Sequence, residues 1–256
     1  YSFMKNYNCK LLAVVFCLAF SHYADAQTIR VGARAGILLA NMDFLPSLTD
    51  YKNILVGQGA LIAEIRLGKR FAIQPEIMYG THGAKYKDAG AYNFDGNTYY
   101  YTDDVSFKIN SLEIPILAKL KFGSDAIKFN ILAGPSIGFG LNGSAKGKGN
   151  ATANIPGVGI TTETHNEQLN AVFVKDGYNS DDIKATEFPV SRTNFNVHFG
   201  AGVDFKVSDK LSVFLEGRYI LGISNLTPKE GDTTASENFQ MHSKRIGISA
   251  GVMFAL

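Results

Sequence analysis

The feature that most restricts this chain is an alternation of apolar and polar residues with a period of two. It recurs over residues 28–39, 55–67, 71–82, 105–122, 127–141, 193–207, 211–224 and 243–256. Successive side chains of a β-strand point to opposite faces, so each segment reads as a strand with one apolar and one polar face. In 127–141, for example, Ile127, Phe129, Ile131, Ala133, Pro135, Ile137, Phe139 and Leu141 stand opposite Lys128, Asn130, Ser136 and several glycines. Each segment is long enough to cross a bilayer as a tilted strand, which takes about 9–11 residues.

The connections alternate in length. Residues 68–70, 123–126 and 208–210 are short turns rich in Gly, Asp and Ser, whereas 40–54, 83–104, 142–192 and 225–242 are long. Tight turns on one rim and long loops on the other are the asymmetry of outer-membrane barrels. No run after residue 27 is long and apolar enough for a membrane helix. In hydrocarbon, only helices and closed barrels satisfy every backbone group. The expected fold is therefore all-β: an eight-stranded antiparallel up-and-down transmembrane β-barrel with short periplasmic turns and long extracellular loops. Phe129 and Phe139, like Phe195 and Phe205, lie ten positions apart on the apolar faces. At ~3.3 Å rise and ~40° tilt that spacing climbs roughly 25 Å, the height of a lipid-facing band between aromatic girdles.

The first 26 residues read as a signal peptide, with a start at Met4 and residues 1–3 upstream. Lys5 and Lys10 precede an apolar run, and Ala24-Asp25-Ala26 fits the small-x-small cleavage pattern. The barrel domain is then 27–256, exported to the outer membrane of a Gram-negative bacterium. Both cysteines, Cys9 and Cys17, fall in the signal, which leaves no disulfide, thiolate metal site or cysteine nucleophile in the mature chain. A net charge of +2 gives no footprint for nucleic acid.

The segment 105–122 breaks phase: Val105, Phe107 and Ile109 are odd-numbered, while Leu112, Ile114 and Ile116 are even. A β-bulge near Asn110-Ser111 would reconcile them. The polar faces carry charges of both signs. Arg34, Glu64, Arg66, Glu76, Glu113, Lys119, Glu216 and Arg218, with Arg30, Lys121, Lys128, Asp204, Lys206 and Arg245, are expected to pair as a structural plug in a closed lumen, because an eight-stranded barrel is about filled by its side chains.

Other patterns carry less. Gly138-Phe139-Gly140-Leu141-Asn142-Gly143 spells GxGxxG, but no helix follows, so no dinucleotide is expected. Asp176, Asn179, Asp181 and Asp182 lack calcium-loop spacing. His82, His165 and His242 read as loop-edge residues and His198 as lumenal, with no catalytic set around any of them. No enzyme, cofactor or metal is expected.

The order of several motifs resembles that of the PorT-like outer-membrane β-barrels. Ser111 to Leu120 resembles that family's LEIP-L-K strand, and Ala133 to Gly138 the AGP-G strand that follows it. Val31 to Gly36 is similar to its opening strand, and Phe199 to Val203 to its sixth. The resemblance implies an outer-membrane location and a compact barrel, but no single activity.

Recognition is expected in the loops. Tyr86, Tyr92, Tyr99, Tyr100 and Tyr101 interleave with carboxylates in 83–104, and clustered tyrosines supply rigid contact area. The competing reading is a pair of strands prolonged above the membrane with aromatic cross-strand pairs. Residues 142–192 are expected to begin as a mobile loop, with a further strand over 169–174. The expected role is binding or adhesion through the extracellular loops, or envelope integrity. A narrow porin-like channel is the alternative, and a lipid- or peptide-modifying enzyme a third. Expected partners are outer-membrane lipid and an extracellular or envelope protein, with the chain a monomer.

Overall fold

The computed structural model describes residues 29–45, 51–94, 97–155, 159–231 and 240–256; the expected signal peptide, 1–26, lies outside them. The strands are β1 (Ile29–Leu45), β2 (Tyr51–Lys52), β3 (Ile54–Arg66), β4 (Phe71–Phe94), β5 (Asn97–Gly123), β6 (Ile127–Ile155), β7 (Gly159–Val174), β8 (Glu187–Ser191), β9 (Thr193–Lys206), β10 (Leu211–Gly222) and β11 (Gln240–Ala255). Eight of them close an antiparallel ring in the order β1, β3, β4, β5, β6, β9, β10, β11 and back to β1.

Following paired residues once around the ring gives Ile29, Ile65, Ile73, Ala118, Ala133, Phe199, Tyr219, Ile246 and then Leu39. The path returns to β1 ten residues beyond its start, which is the shear of the barrel. Eight strands about 4.8 Å apart with that shear tilt by roughly 40°. The same path stays on the lipid side throughout.

Alternation then sorts the side chains. Ile37, Leu61, Ile77, Ile116, Ile131, Phe199, Leu215 and Ile248 are exposed on the outside. Both girdles are also exposed there, with Phe71, Phe122, Phe129, Phe205 and Phe254 near the short turns and Tyr79, Phe139 and Phe195 near the other rim. Pro115 faces inward and Pro135 outward. The wall is tightly curved: a Cβ on lumen-facing Gly247 would lie 2.1 Å from the Ile37 carbonyl oxygen of the neighbouring strand. Gly123 opens the β5–β6 turn with φ +121°, a conformation that favours glycine.

At the short-turn rim the strands begin and end within a residue or two of the sequence reading. At the other rim β4, β5 and β6 run far beyond it. β4 pairs with β5 out to Phe94 and Asn97, and β6 pairs with β7 from Ser144–Asn170 to Ile155–Gly159. Residues 142–155 and 159–174 are thus ordered sheet, which corrects the mobile-loop expectation; 169–174 lies inside β7. Above the membrane both faces of a strand can meet water, so these segments carry no apolar–polar alternation to read.

The phase break also resolves differently from the sequence expectation. The β4–β5 register is continuous, while the β5–β6 register shifts between Asn110 and Ser111. Asn110 pairs with Asn142 and Ser111 with Gly140, so the extra residue is Leu141 on β6. Ile109, Ser111 and Glu113 all face inward and are buried. What changes at residue 110 is the environment, since the lumen turns from polar to apolar at its outer end. There Met42, Ala84, Ile109, Val190, Leu226 and Met241 form a buried cluster, with Tyr51, Ala171, Phe173 and Phe188 packed against it. β8 supplies part of this cap. It runs parallel to β7 and is tied down by the Ser191 amide, which donates to the Leu226 carbonyl at 2.9 Å.

Candidate functional site

Alternation delivers the charged residues to the lumen, and the shear stacks them in levels. Nearest the short turns, Glu64 accepts from Lys121 Nζ at 2.6 Å, and Lys119, Arg30 and Arg66 each stand 3.5 Å from it. Lys121 also pairs with Asp204 at 2.9 Å, and Asn130 donates to Asp204 at 3.0 Å. Arg30 bonds Ser212. A cavity of about 190 Å³ opens at this rim, lined in part by Arg30, Arg66, Lys128 and Asp204.

At mid-height, Glu76 accepts from both terminal nitrogens of Arg218 at 2.8 and 2.9 Å, from Arg34 at 3.0 Å and from Gln74 at 2.7 Å. Arg218 Nε also donates to Glu216 at 2.9 Å. Lys119 donates to Gln74 at 3.1 Å, which links this level to the one below.

Above it, Glu113 takes both terminal nitrogens of Arg245 at 2.5 and 3.1 Å, Ser111 Oγ at 3.2 Å and Asn196 Nδ2 at 3.3 Å. His82 Nε2 and His198 Nε2 lie 3.3 and 3.7 Å from the same carboxylate. His82 Nδ1 meets Ser243 Oγ at 2.8 Å, and His198 Nε2 meets Ser136 Oγ at 2.9 Å.

Six cations (Arg30, Arg34, Lys119, Lys121, Arg218, Arg245) and five carboxylates (Glu64, Glu76, Glu113, Asp204, Glu216) are buried among the described residues. Such numbers need near-complete pairing, because an isolated charge out of water costs several kcal/mol. The ladder of pairs crosses the lumen at each level, and the apolar cap lies above the last.

Of the eight residues singled out for the lumen, Arg34, Glu64, Glu76, Glu113, Lys119, Glu216 and Arg218 are buried inside, whereas Arg66 sits at the rim with its side chain 32% exposed. His82 is a correction: it is a fully buried lumenal residue and not a loop-edge one. Its even parity with Glu76 and Met78 on β4 was the available signal. Its hydroxyl partners, Ser111 and Ser243, and the Ser136 partner of His198 come from other strands and left no local trace.

Above the membrane, β4, β5, β6 and β7 form one sheet whose register sorts the tyrosines. Tyr86, Tyr92, Tyr99 and Tyr101 share the face continuous with the lumen, and Tyr100 points to the other. Tyr92 and Tyr99 stack at 5.2 Å, Tyr51 joins Tyr86 at 5.8 Å, and the Tyr101 ring lies across Gly90. Tyr101 Oη donates to Asp88 at 3.2 Å. Partial burial, then the hydrogen bond and charge of Asp88, push the Tyr86 hydroxyl up to about 12. The Asp88 charge and hydrogen bond likewise raise Tyr101.

The Leu141 bulge gives this face a low floor. Beyond it, Gly147, Gly149, Ala151 and Ala153 of β6 face the same side as Val105, Asp103, Tyr101 and Tyr99, their partners on β5. A groove of about 310 Å³ runs there, with Asp103, His165 and Glu167 on its walls. The tyrosines are thus cross-strand residues of an ordered sheet, as the prolonged-strand reading of 83–104 has them.

The sequence profile of the outer membrane protein beta-barrel domain matches residues 25–228. The chain belongs to that family. This outer membrane protein beta-barrel domain matches no curated protein in sequence. Solved structures similar to it include neisserial surface protein A, with 13% identity, 89% of this chain and 97% of the other covered, and a TM-score of 0.37. The attachment invasion locus protein of Yersinia pestis, Ail, has 10% identity, coverage of 88% and 98%, and a TM-score of 0.35. The outer membrane protease OmpT of Escherichia coli has 9% identity, coverage of 90% and 94%, and a TM-score of 0.34. The domain is an eight-stranded barrel of the Gram-negative outer membrane, with its short turns in the periplasm and its long sheet outside.

Proposed function

We propose that this barrel is closed and works as a monomer through the sheet it holds outside the cell. On this reading it binds an extracellular or envelope protein; it neither conducts solutes nor catalyses a reaction. The observation that carries the reading is the combination of a lumen crossed by paired charges with a protruding sheet that offers an ordered tyrosine face. The motifs around Leu112–Lys119 and Ala133–Gly138 support grouping it with the PorT-like barrels.

The tyrosine face carries Asp88, Asp103, Glu163 and Glu167, and its four strand segments contribute no lysine or arginine to it beyond the rim. Tyrosine rings beside carboxylates suit a cationic segment of a partner, since rings and carboxylates both attract positive charge. The test uses the full chain in vesicles with a fluorescent oligolysine peptide as probe. Binding that weakens with salt, and is lost in a Tyr92→Ser/Tyr99→Ser/Tyr101→Ser variant, is the expected result. Binding that is absent, or unaltered in the variant, would overturn the reading.

His82, Ser243 and Glu113 have the contacts of a base, a hydroxyl and an orienting acid. His82 and Glu113 are fully buried and Ser243 is 2% exposed, below the apolar cap, so no substrate reaches them and their role is structural. The same plugged barrel suits envelope integrity, as a rigid unit that does not leak. The narrow-channel alternative needs a continuous watery path past Glu64, Glu76 and Glu113, and planar-bilayer conductance separates the two.

A further inference from the structure

The extracellular sheet has a second face, and its chemistry is opposite to that of the tyrosine face. The register places Lys85 and Lys87 of β4, Lys108 of β5, and Lys146 and Lys148 of β6 together on the side continuous with the lipid-facing surface. Asp104 is the one carboxylate among the described residues of β4 to β7 on that side. It pairs with Lys85 at 3.1 Å and Lys87 at 3.0 Å. Burial alone would raise the Asp104 carboxyl, but hydrogen bonds from Lys87 and Lys85 hold it below the ordinary carboxylate range. Lys108, Lys146 and Lys148 are exposed and make no ion pair among the described residues.

Height decides what these lysines meet. Leu112 and Tyr79 pair at the outer aromatic girdle, which marks the edge of the hydrocarbon. Lys108 stands four residues beyond Leu112 on the same face, roughly 10 Å higher at ~3.3 Å rise and ~40° tilt. Lys148 pairs with Asp104, eight residues beyond Leu112 and roughly 20 Å above the girdle. Surface charges act over about 8 Å at physiological salt, so the lower lysines reach the headgroup layer and the upper ones reach anions that project from it. On this side the sheet borders the surrounding lipid, not the barrel mouth.

We propose that this lysine face seats on the phosphates of a phosphorylated glycolipid of the outer leaflet, such as lipopolysaccharide. The excess of positive charge supplies the attraction. The ladder of heights matches phosphates carried on sugars above the bilayer better than a single plane of phospholipid headgroups. The opposite placement of carboxylates keeps the tyrosine face turned away from the lipid. Leu141 sets both faces on β6, because the bulge reverses which parity of that strand points outward.

The test places the full chain in phosphatidylcholine vesicles, alone or with lipopolysaccharide, with lipopolysaccharide stripped of its phosphates, or with inorganic phosphate in solution. Lysine acylation by a water-soluble ester is followed residue by residue by mass spectrometry, with exposed Lys175, outside the four strands, as the reference. Labelling of Lys108, Lys146 and Lys148 relative to Lys175 should slow about five-fold with intact lipopolysaccharide and recover in high salt. Equal rates with and without lipopolysaccharide, equal slowing with the dephosphorylated form, or equal slowing by inorganic phosphate would each overturn the proposal. A Lys108→Gln/Lys146→Gln/Lys148→Gln variant that keeps heat-modifiable gel mobility should bind lipopolysaccharide about a hundred-fold more weakly in detergent, at about five-fold per lysine. Undiminished binding by that folded variant would refute it.

Discussion

Glu76 is the place to test whether the lumen is held shut by charge pairing. Its carboxylate accepts from Arg218 at 2.8 and 2.9 Å, Arg34 at 3.0 Å and Gln74 at 2.7 Å, and the Glu76, Arg34 and Arg218 side chains are 0% exposed. At an effective dielectric constant of about 20, unit charges about 3 Å apart interact by about 5 kcal/mol. Glu76→Ala would leave Arg34 with only Gln58, Ser249 and the Met78 sulfur as acceptors, and Arg218 with Glu216 alone. Truncating one partner of a buried pair costs about 3–5 kcal/mol, because the other charge stays buried.

Equilibrium denaturant unfolding of the chain in lipid vesicles, read by heat-modifiable gel mobility, should show that loss. Arg34→Met/Glu76→Met removes one charge of each sign and leaves the Arg218–Glu216 pair balanced. Replacing a buried pair by apolar side chains of similar volume is often neutral or stabilising, so the double variant should stay within about 1 kcal/mol of the parent. A Glu76→Ala cost below about 1 kcal/mol, or a double variant as unstable as the single one, would mean that water and not pairing solvates the lumen.

Three further outcomes follow from the same geometry. Purified protein in planar bilayers should give no stable conductance, since paired charges cross the lumen and the Ile109–Val190–Leu226 cap closes it; large steady openings would refute the plug. In alkaline titration followed by tyrosinate absorbance, Tyr86 should ionise at about 12 and Tyr101 above the ordinary tyrosine range. Asp88→Asn should lower both, because it removes the negative charge that disfavours tyrosinate; an unchanged curve would refute that coupling. Deleting Leu141 should reverse the parity of β6 beyond the membrane and disorder its pairing with β7 while the barrel stays heat-modifiable. Protease cleavage within 142–174 reports the change, and resistance equal to the parent would show that the bulge does not set the sheet.

Legibility in the sequence followed solvent contrast. Within the bilayer each strand has lipid on one side and a tight polar lumen on the other, so Phe129, Ile131 and Phe139 could be separated from Lys128, Asn130 and Ser136 by parity alone. Beyond the outer girdle that contrast ends, so parity left 83–104 open between loop and prolonged strands and gave only 169–174 as a strand in the rest of the sheet. His82 shows the boundary case. It lies where the alternation fades, so its shared parity with Glu76 and Met78 was a faint signal, and its contacts with Ser243 and Ser111 make the lumenal position plain. Pairing was illegible for a different reason: the sequence showed which charges point inward, but Glu113 meets Arg245 and Glu76 meets Arg218 through strands far apart in the chain.

By itself, then, the amino-acid order determined the number of membrane strands, their lipid and lumen faces, the rim of each turn and the location that these imply. Those properties depend on local parity and on the length of each connection. The tertiary structure decided the shear, the partners of the buried charges, the apolar cap and the position of the bulge. Closing the ring brings distant strands together, and one extra residue at Leu141 determines which side chains of β6 share a face with the tyrosines and which stand with the lysines.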